Sequence, residues 1–274
     1  MTVRLVATDL DGTLLRRDNT VSDRTRAALR AADAAGLVVV FVTGRPIRWL
    51  EDVIEQTGHL GVAVGANGAV IYDLAAETVL RMHTLAPAEL ATLTTDLRLA
   101  FPEVSFAAEY GDGFGAEPAY VHDWQINPHL DRHGRPMTPP TLGELTELLS
   151  RPAVKLLAKN RAADVDDFLA TADALLDGRA TVTHSSRIAL LEIAALGITK
   201  ATGLAEVAAS HGIAADEVVA IGDMPNDIPM LQWAGRSYAV ANAHPTAKAA
   251  ADEVVSSNED DAVAILIESL LPRL

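Results

Sequence analysis

The apolar runs of this chain are continuous rather than alternating. Val3–Thr8, Leu37–Val42 and Val218–Ile221 are dominated by Val, Leu, Ile and Ala at successive positions, so both faces of the extended backbone are apolar. Such a strand must be covered on both sides, the condition of a parallel sheet sandwiched between helices. The segments between the runs supply those helices. Ser22 is an N-cap for a helix to about Ala35, with Gly36 as its stop, and a second helix runs from about Ile47 to Thr57, ending at Gly58. Val62–Val64 reads as a third strand, and Ala69–Tyr72 as a short one after the Asn67-Gly68 turn.

The rhythm breaks near Thr84 and returns at Thr199. Between them lie a helix over Pro87–Ala100, a strand at Val104–Ala108 and an irregular stretch, Glu109–Pro140, rich in Gly, His and Pro. Strand-like runs follow at Ala153–Ala158, Ala180–His184 and Ile188–Ile193, with a helical pattern over Ala162–Leu176. Helices at Lys200–His211, Asn226–Trp233 and Asp260–Leu271 and a strand at Tyr238–Val240 then resume the first pattern. The expectation is a Rossmann-like α/β core in two pieces, residues 1–83 and 194–274, with an inserted α+β domain over 84–193. An interruption of about 100 residues is far longer than a loop. No internal repeat accompanies it.

Hydrophobic residues make up 49% of the chain but aromatics only 4%, so the core must be built from Ala, Leu, Val and Ile. There are 22 basic and 37 acidic residues, a net charge of −15. Nucleic acid and anionic membranes are poor partners for such a surface. An anionic substrate is also repelled at long range, so a phosphate site would need its own local cation. The chain has no cysteine, which excludes disulfides, thiolate metal sites and a cysteine nucleophile. No apolar run reaches the roughly 18 residues of a membrane span, and the first strand begins without a signal-like segment. The expectation is a cytoplasmic monomer or small homo-oligomer acting on a small molecule.

Four motifs carry the chemistry. The first strand runs into Asp9-Leu10-Asp11-Gly12-Thr13. Ligands of open α/β sheets bind beyond the carboxyl ends of the strands, where these two carboxylates fall. One can attack a phosphoryl group, the other can shuttle a proton, and together they can hold a hard cation such as Mg²⁺. The second strand ends in Thr43-Gly44-Arg45, a hydroxyl and backbone N–H groups at a helix start. Lys200 opens a helix, against the preference of the macrodipole for acidic groups there, which makes sense if it faces a phosphate. Gly222-Asp223-Met224-Pro225-Asn226-Asp227 follows a buried strand with two acids flanking an amide. Each motif alone also reads as ordinary turn or capping chemistry. Jointly they fall on one edge of a parallel sheet, where residues 9, 43, 200 and 223 can meet.

This ordered set resembles the haloacid dehalogenase superfamily. Asp-Leu-Asp-Gly-Thr-Leu-Leu at the start and the insertion between the Thr43 and Lys200 motifs resemble its Cof-type sugar-phosphatase branch. Ala66-Asn67-Gly68-Ala69 and Ala241-Asn242-Ala243 also fit. Lys200-Ala201 stands where Lys-Gly is usual, and Asp261 where a Gly is frequent near the last helix. The resemblance implies Asp9 as nucleophile, forming an aspartyl-phosphate, and Asp11 as acid and then base. It implies Mg²⁺ held by Asp9, Asp223 and the Asp11 carbonyl. Thr43, Gly44, Lys200, Asn226 and the Leu10 N–H would cradle the phosphoryl oxygens, Arg45 would reach phosphate or the insertion, and Asp227 would orient Lys200 or a metal-bound water. An acid at position 11 implies hydrolysis of an oxygen ester rather than dehalogenation.

The implied activity is a Mg²⁺-dependent phosphatase of small phosphorylated metabolites, sugar phosphates above all. A phosphomutase of a hexose phosphate and a non-enzymatic phosphate-ligand sensor are the alternatives. The insertion is expected to act as a cap, with His122, Trp124, His184 and Arg187 as contacts. His122, His129 and His133 match no transition-metal ligand spacing. Replacing Lys200 is expected to slow turnover more than it disturbs folding.

Overall fold

The structure, a computed structural model, describes residues 2–111, 113–121, 140–185 and 189–271. His122, Trp124, His129, His133 and Arg187 lie outside the described residues. The chain divides into two compact units, Met1–Arg81 with Thr199–Leu274, and Met82–Ile198.

In chain order, the first segment holds β1 (Leu5–Thr8), α1 (Asp23–Ala34), β2 (Val38–Val42), α2 (Glu51–Thr57), β3 (Val62–Gly65), β4 (Val70–Asp73) and β5 (Thr78–Met82). The second unit contributes α3 (Pro87–Ala100), β6 (Ser105–Glu109), β7 (Phe114–Ala116), β8 (Thr141–Leu142), α4 (Leu145–Leu148), β9 (Lys155–Lys159), α5 (Val165–Leu176), β10 (Ala180–Thr183) and β11 (Leu190–Ala195). The chain returns through α6 (Lys200–Ser210), β12 (Val218–Gly222), α7 (Ile228–Trp233), β13 (Arg236–Ala239), α8 (Pro245–Ala250), β14 (Glu253–Val254) and α9 (Ala262–Leu270).

The first unit is built on one sheet with the order β14-β13-β12-β1-β2-β3-β4-β5 among the described residues. From β14 to β3 neighbours are parallel, and β4 turns back antiparallel to β3. The expected burial on both faces holds at the centre: every residue of β1 and of β12 is buried. Helices α1 and α9 pack together, as do α6 and α7. Ser22 caps α1 by accepting from the Thr25 N–H, as the sequence predicts. The segment expected as one helix from Ile47 is two: a short 3-10 turn at Ile47–Trp49, then α2 from Glu51.

The second unit has its own sheet, in the order β10-β11-β9-β6-β7-β8. Its pairs are antiparallel except β7 with β8. Leu90, Leu93 and Leu97 of α3 and Phe168, Ala172 and Leu176 of α5 join Phe106, Ala108, Leu156, Ala158, Leu191 and Ile193 in one core. These strand residues share one face by register. The other face carries the buried Lys155–Glu192 ion pair, 2.5 Å apart. A boundary at 193 falls inside β11, whose antiparallel pairing with β9 and β10 keeps it whole in this unit. His184 is buried here, 3.7 Å from Asp166. No helix among the described residues is long and apolar enough to cross a membrane.

Candidate active site

The register of the sheet assembles the motifs. Thr8, the last residue of β1, is level with Phe41 of β2 and Ile221 of β12. Because the three strands are parallel, the chain leaves them on one edge, at Asp9, Thr43 and Asp223. The Asp9 N–H donates to the Ile221 carbonyl at 3.0 Å and the Thr43 N–H to the Val64 carbonyl at 2.8 Å, which fixes both exits. Lys200 is the first residue of α6, behind the N-cap Thr199.

Lys200 is the electrostatic centre. Its Nζ donates to Asp9 Oδ1 at 2.6 Å and to Asp227 Oδ1 at 2.5 Å, with only 1% of its side chain exposed. Asp227 uses its second oxygen to accept from the Asp223 and Met224 N–H groups, both at 2.9 Å. Asp227 is therefore a strut that orients Lys200 and shapes the loop carrying Asp223. Burial lowers the proton affinity of Lys200, but Asp227 and Asp9 outweigh it and hold the ammonium charged. Burial pushes the Asp9 carboxyl well above the usual range, against the pull of Lys200, and Asp227, Asp223 and Asp11 add to the rise. Asp223 is pushed up to about 7, first by burial and then by Asp227.

The burial of Lys200 corrects one expectation. A surface lysine could be removed with little effect on folding, whereas this one neutralises two carboxylates that are themselves buried. Taking one partner from a buried pair leaves an uncompensated charge.

Asp11 is more open, with half of its side chain exposed. Arg45 grips it through two hydrogen bonds, Nε to Oδ2 at 2.7 Å and Nη2 to Oδ1 at 2.5 Å. The structure thus places Arg45 on the expected acid–base residue, in the fork geometry that suits arginine and not lysine. Thr43 Oγ1 accepts from the Arg45 N–H at 3.0 Å, which leaves its own hydrogen to donate.

Thr13, Asn67 and Asn242 are read from sequence only as parts of motifs, with no role assigned. Thr13 Oγ1 donates to Asp223 Oδ1 at 3.1 Å. Asn242 Nδ2 donates to the Gly12 carbonyl at 2.7 Å, and Asn226 Nδ2 to Asn67 Oδ1 at 3.0 Å. Gly12 has φ of 80°, and a Cβ there would lie 2.4 Å from Asp223 Oδ2. Only glycine allows the first motif to approach the fourth so closely. The signal for Asn67 and Asn242 was their place in short motifs, but spacing gives no partner.

The profile of the haloacid dehalogenase-like hydrolases matches residues 6–267. The chain belongs to that family. Among its relatives is the 5-amino-6-(5-phospho-D-ribitylamino)uracil phosphatase YitU of Bacillus subtilis, 30% identical over 95% of this chain and 94% of that one. The pyridoxal phosphate phosphatase YbhA of Escherichia coli is 28% identical, over 99% of this chain and 100% of its own length. In fold, the chain is similar to a sugar phosphatase of subclass IIB of the family, with a TM-score of 0.82 at 19% identity, covering 98% of this chain and all of that one.

This haloacid dehalogenase-like hydrolase has a donor set suited to a hard cation. Carboxylate oxygens of Asp9, Asp223 and Asp227 lie within 4.8 Å of one another. Lys200 offsets only part of that charge, and burial first, then the neighbouring carboxylates, raise the Asp9 and Asp223 carboxyls. Asn226 Oδ1 is buried without a hydrogen-bond partner, an acceptor aimed at a donor such as a metal-bound water. All-oxygen ligands with one or two carboxylates suit Mg²⁺. Both oxygens of Asp227 are already engaged, so Asp9 and Asp223 are the side chains that fit it. Asp261 has φ of 58°, a backbone setting that Asp tolerates better than most residues. Arg16 pairs with it at 2.9 Å.

Proposed function

We propose that this hydrolase is a Mg²⁺-dependent phosphatase of small phosphorylated metabolites, sugar phosphates foremost, working through an aspartyl-phosphate on Asp9. The observation that carries the reading is the buried ammonium of Lys200 held between Asp9 and Asp227 beside Asp223. A cation fixed against a carboxylate at the mouth of a parallel sheet is an arrangement for binding and transferring a phosphoryl group. The phosphatase relatives support the same chemistry.

Asp9 attacks phosphorus, and the bond to the leaving oxygen breaks as Asp11 delivers a proton to it. Water then attacks the phosphorus of the acyl phosphate while Asp11 takes up a proton, which frees orthophosphate and restores Asp9. Lys200, the Thr43 hydroxyl, the Leu10 and Gly44 N–H groups and the Asn226 amide would hold the phosphoryl oxygens. Asp9, Asp223 and the Asp11 backbone carbonyl would hold Mg²⁺, which supplies further neutralisation of phosphoryl charge when bound. Arg45 grips both oxygens of Asp11 and so fixes the direction of the carboxyl. To act as an acid, Asp11 must give up at least one of those bonds.

Mg²⁺ is expected to raise the melting temperature of chelator-treated protein, and to do so more strongly as pH rises. Because burial raises Asp223 in the folded state, the metal-free fold is favoured where that carboxyl is protonated. It loses that contribution as pH climbs from the ordinary carboxylate range through about 7. Mg²⁺ requires the carboxylate, so its effect grows over the same window. Calorimetric melting at several pH values checks this, and a shift independent of pH would contradict it.

Phosphate release from a panel of sugar phosphates, nucleotides, ribityl phosphates and pyridoxal phosphate tests the activity. The expected result is release that depends on Mg²⁺ and stops with chelator. No release from any compound by a folded, Mg²⁺-binding protein would refute the reading.

A further inference from the structure

The turn Ala66-Asn67-Gly68 touches all the later motifs. The Ala66 N–H donates to the Arg45 carbonyl at 2.9 Å and the Asn67 N–H to the Thr43 carbonyl at 3.0 Å. The Asn67 side chain, 4% exposed, accepts from Asn226 at 3.0 Å. Gly68, with φ of 102°, lies so close to the Thr199 carbonyl, just before Lys200, that a Cβ would sit 2.0 Å from it. Two non-glycine residues in succession hold left-handed backbone, Ala66 with φ of 50° and Asn67 with φ of 58°. Asparagine enters that region readily and alanine does not, so the turn is held there by its surroundings.

The consequence falls on Asn226. Its Nδ2 carries two hydrogens, and one is committed to Asn67. That bond fixes the plane of the amide and so the direction of the second hydrogen. It also fixes the direction of Oδ1, buried without a partner. An Asn226 free to rotate would present a donor and an acceptor to a phosphoryl oxygen in turn, and an acceptor there repels the anion.

We propose that Asn67 is a positioning residue of the phosphoryl site, which acts by locking the Asn226 amide with its donor toward the phosphoryl group. The inference rests on the phosphatase reading. It adds to that reading a residue that touches neither substrate nor metal, on an element between the second and third motifs.

The test is a double-mutant cycle of Asn67→Gly and Asn226→Ala. Glycine keeps the left-handed backbone and removes the side chain that supplies the acceptor. Asn67→Asp, which keeps an acceptor and also tolerates this backbone, is the conservative variant. Asn67→Gly is expected to lower kcat/KM by about 10- to 100-fold, with unchanged circular dichroism. The double variant should be no slower than Asn226→Ala alone, because both changes remove the same function. Asn67→Asp should recover at least part of the loss. Inorganic phosphate should lose affinity as an inhibitor in the same non-additive pattern. A kcat/KM for Asn67→Gly within about twofold of wild type would overturn the proposal. So would losses that multiply in the double variant, the mark of a residue that merely supports the fold.

The wild-type protein in the same assay tests the phosphatase reading by itself. Side-chain amide resonances of Asn226 in ¹⁵N-labelled protein test the positioning without turnover. The expected result is faster exchange of these hydrogens in Asn67→Gly than in wild type, and equal rates would overturn the proposal even if the phosphatase reading holds.

Discussion

Lys200→Ala is expected to lower the melting temperature by roughly 10 °C, a loss of about 3–5 kcal/mol. The reason lies in burial more than in catalysis. Asp9 and Asp227 each give an oxygen to this ammonium, and both are buried. Without it their charges face one another in a medium that screens poorly. Turnover should also fall, by about 10²- to 10³-fold in kcat/KM, because no fixed cation remains to neutralise charge that develops on the phosphoryl group. Thermal unfolding in chelator and steady-state kinetics with Mg²⁺ separate the two effects. A variant as stable as wild type would contradict the buried ion-pair network, and an unchanged kcat/KM would contradict the role in transfer.

Asp9→Asn should do the reverse. It removes a carboxyl whose charged form burial already disfavours. Lys200 keeps Asp227 as its partner. The melting temperature is therefore expected to stay within about 3 °C of wild type or to rise. An amide cannot form the acyl phosphate, so kcat should fall by about 10⁴-fold or more. A folded variant that still turned over substrate would remove Asp9 from the role of nucleophile.

The parts of this fold legible in the sequence are those whose pattern answers to burial alone. β1, β2 and β12 are continuous apolar runs because both of their faces are covered. Ser22 marks the start of α1 through a local hydrogen bond. β5 was not legible, because all five of its residues are exposed at the sheet edge and no face carries a hydrophobic signature. α8 and β14 are short, and an Ala-rich segment of six residues has no clear helical period. The 3-10 turns at Ile47–Trp49 and Pro225–Asp227 run into α2 and α7 with at most one residue between, so the sequence reads each turn and helix as one element.

The site follows the same division. Asp9, Thr43, Lys200 and Asp223 could be brought together from sequence, because each sits at a strand end or helix start and parallel strands share an edge. The bonds among side chains could not. That Arg45 turns to Asp11, that Asp227 also accepts from two N–H groups, and that Asn67 holds Asn226 depend on rotamers set by the packed neighbours. Spacing does not encode these. The burial of Lys200 was hidden for the same reason, since a lysine that opens a helix reads as solvated until its two carboxylates are placed around it.

The most direct test of the central claim is to look for the covalent intermediate. Enzyme mixed with Mg²⁺ and its best substrate is quenched in acid within one turnover, digested and analysed by mass spectrometry. The account predicts one added phosphoryl group on the peptide that contains Asp9, absent from Asp9→Asn and lost as turnover completes. Phosphate release at full rate with no phosphoryl group on that peptide at any quench time would contradict it.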